Sequence, residues 1–167
     1  MRAGDLGRIV SLHGELYARE YGFDQTFEAY VAGPLAEFVR SNSPTSRLWV
    51  AEQENRIVGC VAIVAASASV AQLRWYLVVP EMRRRGLGRQ LLAEAIAFGR
   101  QQRYEKVLLW TVSALADAAK QYRAAGFRKT EEKPGMMWGT DVVEEKYELD
   151  LRQHAVAGAG VPVAVGE

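Results

Sequence analysis

Arginines at positions 83, 84, 85 and 89 surround two glycines in the segment Arg83-Arg84-Arg85-Gly86-Leu87-Gly88-Arg89. The branched, apolar run Leu77-Val78-Val79 leads into it and stops at Pro80, and a helical apolar pattern begins at Leu87. The stretch therefore reads as a strand, a turn and a helix start. A helix start offers backbone N–H groups without intrahelical partners, at the positive end of the macrodipole. Glycine lets an anion approach that backbone closely. Arginine adds charge and forked donors. The chemistry such a set suits is the holding of a pyrophosphate. Other phosphate motifs fit badly. A P-loop needs Lys-Ser/Thr after its last glycine, whereas Gly88 is followed by Arg89-Gln90. A dinucleotide fingerprint needs a third glycine where Gln90 or Leu91 stands. A solvated, arginine-rich helix start is the alternative reading of the same residues.

The elements that must position this loop follow from periodicity. Residues 5–20 read as an amphipathic helix, with Asp5 able to cap it and Gly22 able to end it. A second helix is expected over residues 25–40, kinked or broken at Gly33-Pro34 because proline removes a helical hydrogen bond. Strands are expected at 48–52, 56–65 and 72–79, then a helix at 87–100, a strand at 106–112 and a helix at 114–125. Two last strands are expected at 127–132 and 144–151. The apolar Gly135-Met136-Met137-Trp138-Gly139 between them is read as a loop: a pocket wall, a dimer contact or plain packing. Strands in a run, then alternating with helices, predict an α/β (α+β) domain over residues 1–152. Its sheet is expected to be mixed and mostly antiparallel, with helices on both faces. Residues 153–167 are rich in Ala, Gly, Val and Pro and read as a flexible tail.

A chain of 167 residues favours one domain plus such a tail. With 21 basic and 20 acidic residues there is no charge excess of the kind that attracts nucleic acid or an anionic membrane. Neither is expected as a partner. The single cysteine, Cys60, lies in the apolar run Cys60-Val61-Ala62-Ile63-Val64 and is expected to be a buried hydrophobe rather than a catalytic thiol. No metal site is expected. No apolar run approaches the roughly 18 residues of a spanning helix, and no signal-peptide core opens the chain, so a cytoplasmic location is expected.

Arg83-x-x-Gly86-x-Gly88, after a strand ending in Val-Pro, resembles the Gln/Arg-x-x-Gly-x-Gly/Ala acyl-CoA signature of the GNAT N-acetyltransferases. Downstream, Ala118-Ala119-Lys120-Gln121-Tyr122-Arg123-Ala124-Ala125-Gly126-Phe127 resembles that family's Ala…Tyr-x-x-x-Gly-Phe block. The element order agrees over about residues 5–151. His13-Gly14-x-Leu16-Tyr17-Ala18-x-Glu20-Tyr21-Gly22-x-Asp24 is similar to GNAT domains often fused behind MarR-type regulators, here in a stand-alone form.

The resemblance implies acetyl-CoA as cosubstrate. Leu77, Val78 and Val79 would pair with its pantetheine arm, and Arg84, Arg85, Gly86, Leu87, Gly88 and Arg89 would hold its pyrophosphate. It implies Tyr122 as the general acid for the leaving thiolate. For a base it offers Glu20 first, with Asp24, Glu28 and Glu52 beside it and a water relay as an alternative. His13, on a helix, is by default a packing residue. Two departures stand out. Val112-Ser113 occupies a place where many members carry asparagine, so a cofactor hydrogen bond passes to Ser113 or is lost. Only residues 1–4 remain for the family's first strand. The implied activity is acetyl transfer to a primary amine of a small molecule or protein, by direct attack in a ternary complex, with a homodimer possible. The alternatives are a non-catalytic acyl-CoA sensor and an interaction domain.

Overall fold

The computed structural model describes residues 1–152; the tail expected at 153–167 lies outside the described residues. The chain runs α1 (Asp5–Tyr21), α2 (Gln25–Ser41), β1 (Arg47–Gln53), β2 (Arg56–Ala65) and β3 (Val70–Val78). It continues with α3 (Leu87–Gln101), β4 (Lys106–Val112), α4 (Ala116–Ala124), β5 (Arg128–Met137) and β6 (Thr140–Asp150). One sheet of six strands forms in the order β1-β2-β3-β4-β6-β5. Only the β3–β4 pair is parallel, so the sheet is mixed and mostly antiparallel as expected.

Two apolar layers cover it. Leu91, Leu92, Ala95, Ile96 and Phe98 of α3 pack with Ala119 and Tyr122 of α4 on one face. Ile9 and Leu16 of α1 pack with Phe27, Val31 and Leu35 of α2 on the other. This helical spacing buries one stripe of each helix and leaves charged residues outside. Gly22 ends α1 at φ 73, the left-handed cap expected of it.

Three local expectations are corrected. Helix α2 is not broken at Pro34 but runs on through it. Its buried Phe27, Val31 and Leu35 anchor turns on both sides of the proline, so packing outweighs one lost hydrogen bond. Gly4 rather than Asp5 caps α1; the buried Asp5 carboxylate instead accepts from the Arg2 N–H and the Arg8 guanidinium. The segment expected as a loop at 135–139 is mostly strand. β5 reaches Met137, and Trp138 and Gly139, at φ 54 and 78, make a two-residue turn into β6. Residues 1–4 add no strand, and β1 is the sheet edge.

A bulge in β3 sets which of its side chains reach each face. Cys60 faces Leu77 and Ala62 faces Arg74, so Trp75 and Tyr76 together oppose Val61. Trp75 takes φ 49 there. Before the bulge, Ala71 and Leu73 point to the α3/α4 side; after it, Tyr76 and Val78 do. Trp75, Leu77 and Val79 point to the α1/α2 side. One extra residue has reversed the alternation.

Candidate functional site

Strands β3 and β4 pair at three positions only: Val70 with Lys106, Ala71 with Val107, and Gln72 with Leu108. Beyond Leu108, β4 stays with β6 while β3 stays with β2, and the sheet opens. A cavity of about 100 Å³, open to solvent at its mouth, fills the gap. Tyr76 and Tyr122 line it from the α3/α4 side; His13, Tyr30, Leu115 and Trp138 line it from the α1/α2 side. The gap thus connects the two faces of the sheet.

Strand alternation decides which backbone groups face this gap. The Val79 N–H donates to the Val58 carbonyl at 3.0 Å, so Val79 and, two residues back, Leu77 turn toward β2. Val78 turns its N–H and C=O the other way. Of the three residues expected to present backbone here, Val78 does so; Leu77 and Val79 are committed to β2. The Val78 carbonyl accepts from Arg83 Nε at 3.1 Å, which ties the start of the loop to the end of the strand.

The loop itself keeps its amides free. Arg83 N–H donates to Pro80, and the next backbone donor with a partner is Gln90, which donates to Gly86. Among the described residues, the N–H groups of Arg84, Arg85, Gly86, Leu87, Gly88 and Arg89 have no backbone acceptor. Arg84 at φ 60 and Gly86 at φ 84 bend the chain so that the run wraps the start of α3. Arg84, Arg85 and Arg89 are exposed. Six adjacent donors beside three guanidinium groups make an arrangement able to hold an anion. Gly88 has a further role inside the protein. A Cβ there would lie 2.5 Å from the Tyr76 hydroxyl and 2.8 Å from Gln121 Oε1. Tyr76 donates to that Gln121 oxygen at 2.6 Å, a link between β3 and α4 that only a glycine on α3 leaves room for.

Tyr122 is 5% exposed and borders the cavity. Burial pushes its phenol well above the usual value, with Tyr17, Tyr76 and Tyr147 adding to the shift, so the side chain keeps its proton. The Tyr76 and Tyr147 hydroxyls donate to Gln121 and Glu145; the Tyr122 hydroxyl has no such partner among the described residues.

The carboxylates considered as bases stand elsewhere. Glu20 pairs with Arg83 at 3.0 Å and lines a second groove beside Ser113, between α1 and the β5–β6 hairpin. Ser113 spends its N–H on the Val143 carbonyl at 2.8 Å. Asp24 caps α2 by accepting from the Thr26 N–H. Glu28 packs its carboxylate over Gly14. Glu52 pairs with Arg2. His13 does stand in the cavity wall. It is 3% exposed, and its Nδ1 lies 2.8 Å from the Ile9 carbonyl. Since a carbonyl only accepts, Nδ1 carries the hydrogen and Nε2 keeps a lone pair. Nε2 is the one buried side-chain nitrogen or oxygen without a partner among the described residues. Burial lowers the imidazole pKa to about 4, with the Ile9 bond opposing the shift.

Of the readings open for residues 135–139, Trp138 follows the pocket wall: it packs against Phe27 and Tyr30, with ring centroids 4.9 and 5.2 Å apart, and makes the hairpin turn part of the cavity. Sequence reasoning missed one feature of this wall. Arg74 also lines the cavity, over the Tyr30 and Trp75 rings at 6.0 and 5.1 Å. A charge in the middle of an apolar strand was the available signal. Cys60 is buried as expected: burial pushes its thiol up to about 12, and it donates to the Trp75 carbonyl freed by the bulge.

The pattern of the Acetyltransferase (GNAT) family matches residues 13–127. Among curated proteins, the rat N-acetyltransferase family 8 member 3 is 33% identical over 96 residues, 54% of this chain and 42% of that protein. An uncharacterized N-acetyltransferase of Schizosaccharomyces pombe is 29% identical over 118 residues, 69% of this chain and 72% of that one. The chain therefore spans less than half the length of the rat relative. Of solved structures, an N-acetyltransferase from Staphylococcus aureus Mu50 superposes with a TM-score of 0.75 at 16% identity, over 91% of this chain and 96% of that one. Salmonella typhimurium yncA, solved with its cofactor acetyl-CoA, gives 0.66 at 19% identity, over 95% of this chain and 97% of that one. These structural likenesses concern the fold; the matched sequence pattern, which spans the arginine–glycine loop and Tyr122, places this chain in the GNAT acetyltransferase family.

Proposed function

We propose that the protein transfers the acetyl group of acetyl-CoA to a primary amine, on a small molecule or a protein, by direct attack in a ternary complex. One observation carries the reading: the gap between β3 and β4 has Val78 backbone on its edge, six free loop amides beside it and Tyr122 within it. The donor set fits an extended thioester bearing a diphosphate. Bound there, acetyl-CoA supplies an activated acyl group.

The chain's own residues do the rest. The amides of residues 84–89 and the guanidinium groups of Arg84, Arg85 and Arg89 hold the diphosphate. Val78 offers strand-like backbone pairing along the gap. Tyr122, kept protonated by burial, is the proton donor for the departing sulfur. Nε2 of His13, buried in the cavity wall without a partner among the described residues, is the acceptor for a hydrogen bond from the incoming amine. Glu20, held by Arg83, orients the loop start, and any proton it takes passes through water.

Calorimetric titration with acetyl-CoA tests the first half. Micromolar binding is expected, and Gly86→Trp should abolish it by filling the cradle. No binding to the wild type would overturn the reading. Binding without thiol release, with every amine tried, would leave an acyl-CoA sensor instead.

A further inference from the structure

Arg74 is the feature of the cavity that amine acetylation alone does not use. It is half-buried, stands on β3 just before the bulge and faces α2. The bulge puts it and Trp75 on the same side of the sheet, where a regular strand would alternate them. Among the described residues, no carboxylate lies within ion-pair distance of it, although twelve other ion pairs form there. Glu144, which also lines the cavity, is engaged by Lys133 at 3.6 Å. A guanidinium walled by aromatic rings and lacking a counter-ion favours an anion that brings its own apolar body. Its fork matches a carboxylate with two parallel hydrogen bonds.

The other walls complete the match. Phe27, Tyr30 and Trp138 form an aromatic patch beside Arg74. The partnerless Nε2 of the buried His13 gives an acceptor for an N–H. We infer that the acceptor is a small amino acid-like molecule: a carboxylate for Arg74, an apolar or aromatic side chain for the Phe27–Tyr30–Trp138 patch, and a free amine for His13. The inference rests on the acetyl-transfer reading. Transfer forms the amide N–C bond and breaks the thioester C–S bond. The proton lost by nitrogen balances the proton gained by sulfur, so an N-acetyl amino acid and free CoA result.

Thiol release from acetyl-CoA tests this with three pairs: phenylalanine against 2-phenylethylamine, leucine against 3-methylbutylamine, and methionine against 3-(methylthio)propylamine. Each pair differs by the carboxylate alone. In the wild type at least one amino acid should exceed its amine about 10–100-fold in kcat/KM, the worth of a charge-assisted pair. Arg74→Met should bring that ratio near one, and Arg74→Lys should restore part of it. A mere folding role for Arg74 would lower both members of a pair alike and leave the ratio unchanged, which overturns the inference. Amines that outrun their amino acids, or six inert compounds with a protein that binds acetyl-CoA, overturn it too while sparing the cofactor reading. A protein that does not bind acetyl-CoA removes both.

Discussion

Tyr122 and His13 face one cavity from opposite sides of the sheet, and burial acts on each in the direction that keeps it neutral. For Tyr122 the consequence is a retained proton. Tyr122→Phe should lower kcat roughly 10²–10⁴-fold. The melting temperature should hardly move, because the hydroxyl has no partner to lose among the described residues. A wild-type rate in that variant would remove Tyr122 from the acid role. For His13 the consequence is a pH-dependent stability. Its folded pKa of about 4 lies below the ordinary 6.5, so the unfolded chain binds the proton more readily between those values. Stability is complete above pH 6.5 and declines as pH falls toward 4, by about 3 kcal/mol in all. Urea unfolding of the wild type and His13→Gln across that window should differ in slope, the variant losing less on acidification. Parallel curves would show that His13 does not titrate on unfolding.

At the scale of elements, the α3 start, the β3 bulge and α4 form one unit around Gly88. The Tyr76–Gln121 bond crosses in front of Gly88 with no room for a methyl group. Gly88→Ala should therefore cost about 1–3 kcal/mol as the pair is forced aside. It should also weaken acetyl-CoA binding, since the first turn of α3 must shift. Chemical denaturation beside a cofactor titration checks both effects; a variant with native stability would mean that Tyr76 moves away freely. The edge strand β5 shows the opposite economy. Nearly all its residues are exposed, and Lys129, Glu131, Glu132, Lys133 and Pro134 keep that edge from pairing with another sheet.

Over the whole molecule, three residue pairs join the β1-β2-β3 half of the sheet to the β4-β6-β5 half. A ligand lying in the gap would span both halves. At 100 times its dissociation constant, acetyl-CoA should stabilise the fold by about 2.7 kcal/mol. For a domain of this size that raises the melting temperature by roughly 5–10 °C. Hydrogen exchange should slow at the amides of Val78 and residues 84–89, which have no backbone acceptor among the described residues. The β1–β2 pairing should exchange as before. Protection spread evenly over the sheet would place the ligand elsewhere.

The sequence by itself determined the elements and the loop. Period-3.6 and period-2 patterns, Gly22 and Pro80 act over a few residues, and so does the arginine–glycine run whose local composition leaves amides free. The pattern around Tyr122 was legible for the same reason, being contiguous on one helix. Only the tertiary structure decided which distant groups meet. A one-residue bulge, invisible in an apolar strand, set Arg74 and Trp75 on one face and Tyr76 on the other. It also settled that Val78 rather than Val79 faces the gap. Packing of α1 on the sheet turned His13 from an expected filler into a cavity wall, while Arg83 drew Glu20 into an ion pair. Strand register and helix docking are long-range choices. A shift of one residue reverses every side chain, and no local spacing records it.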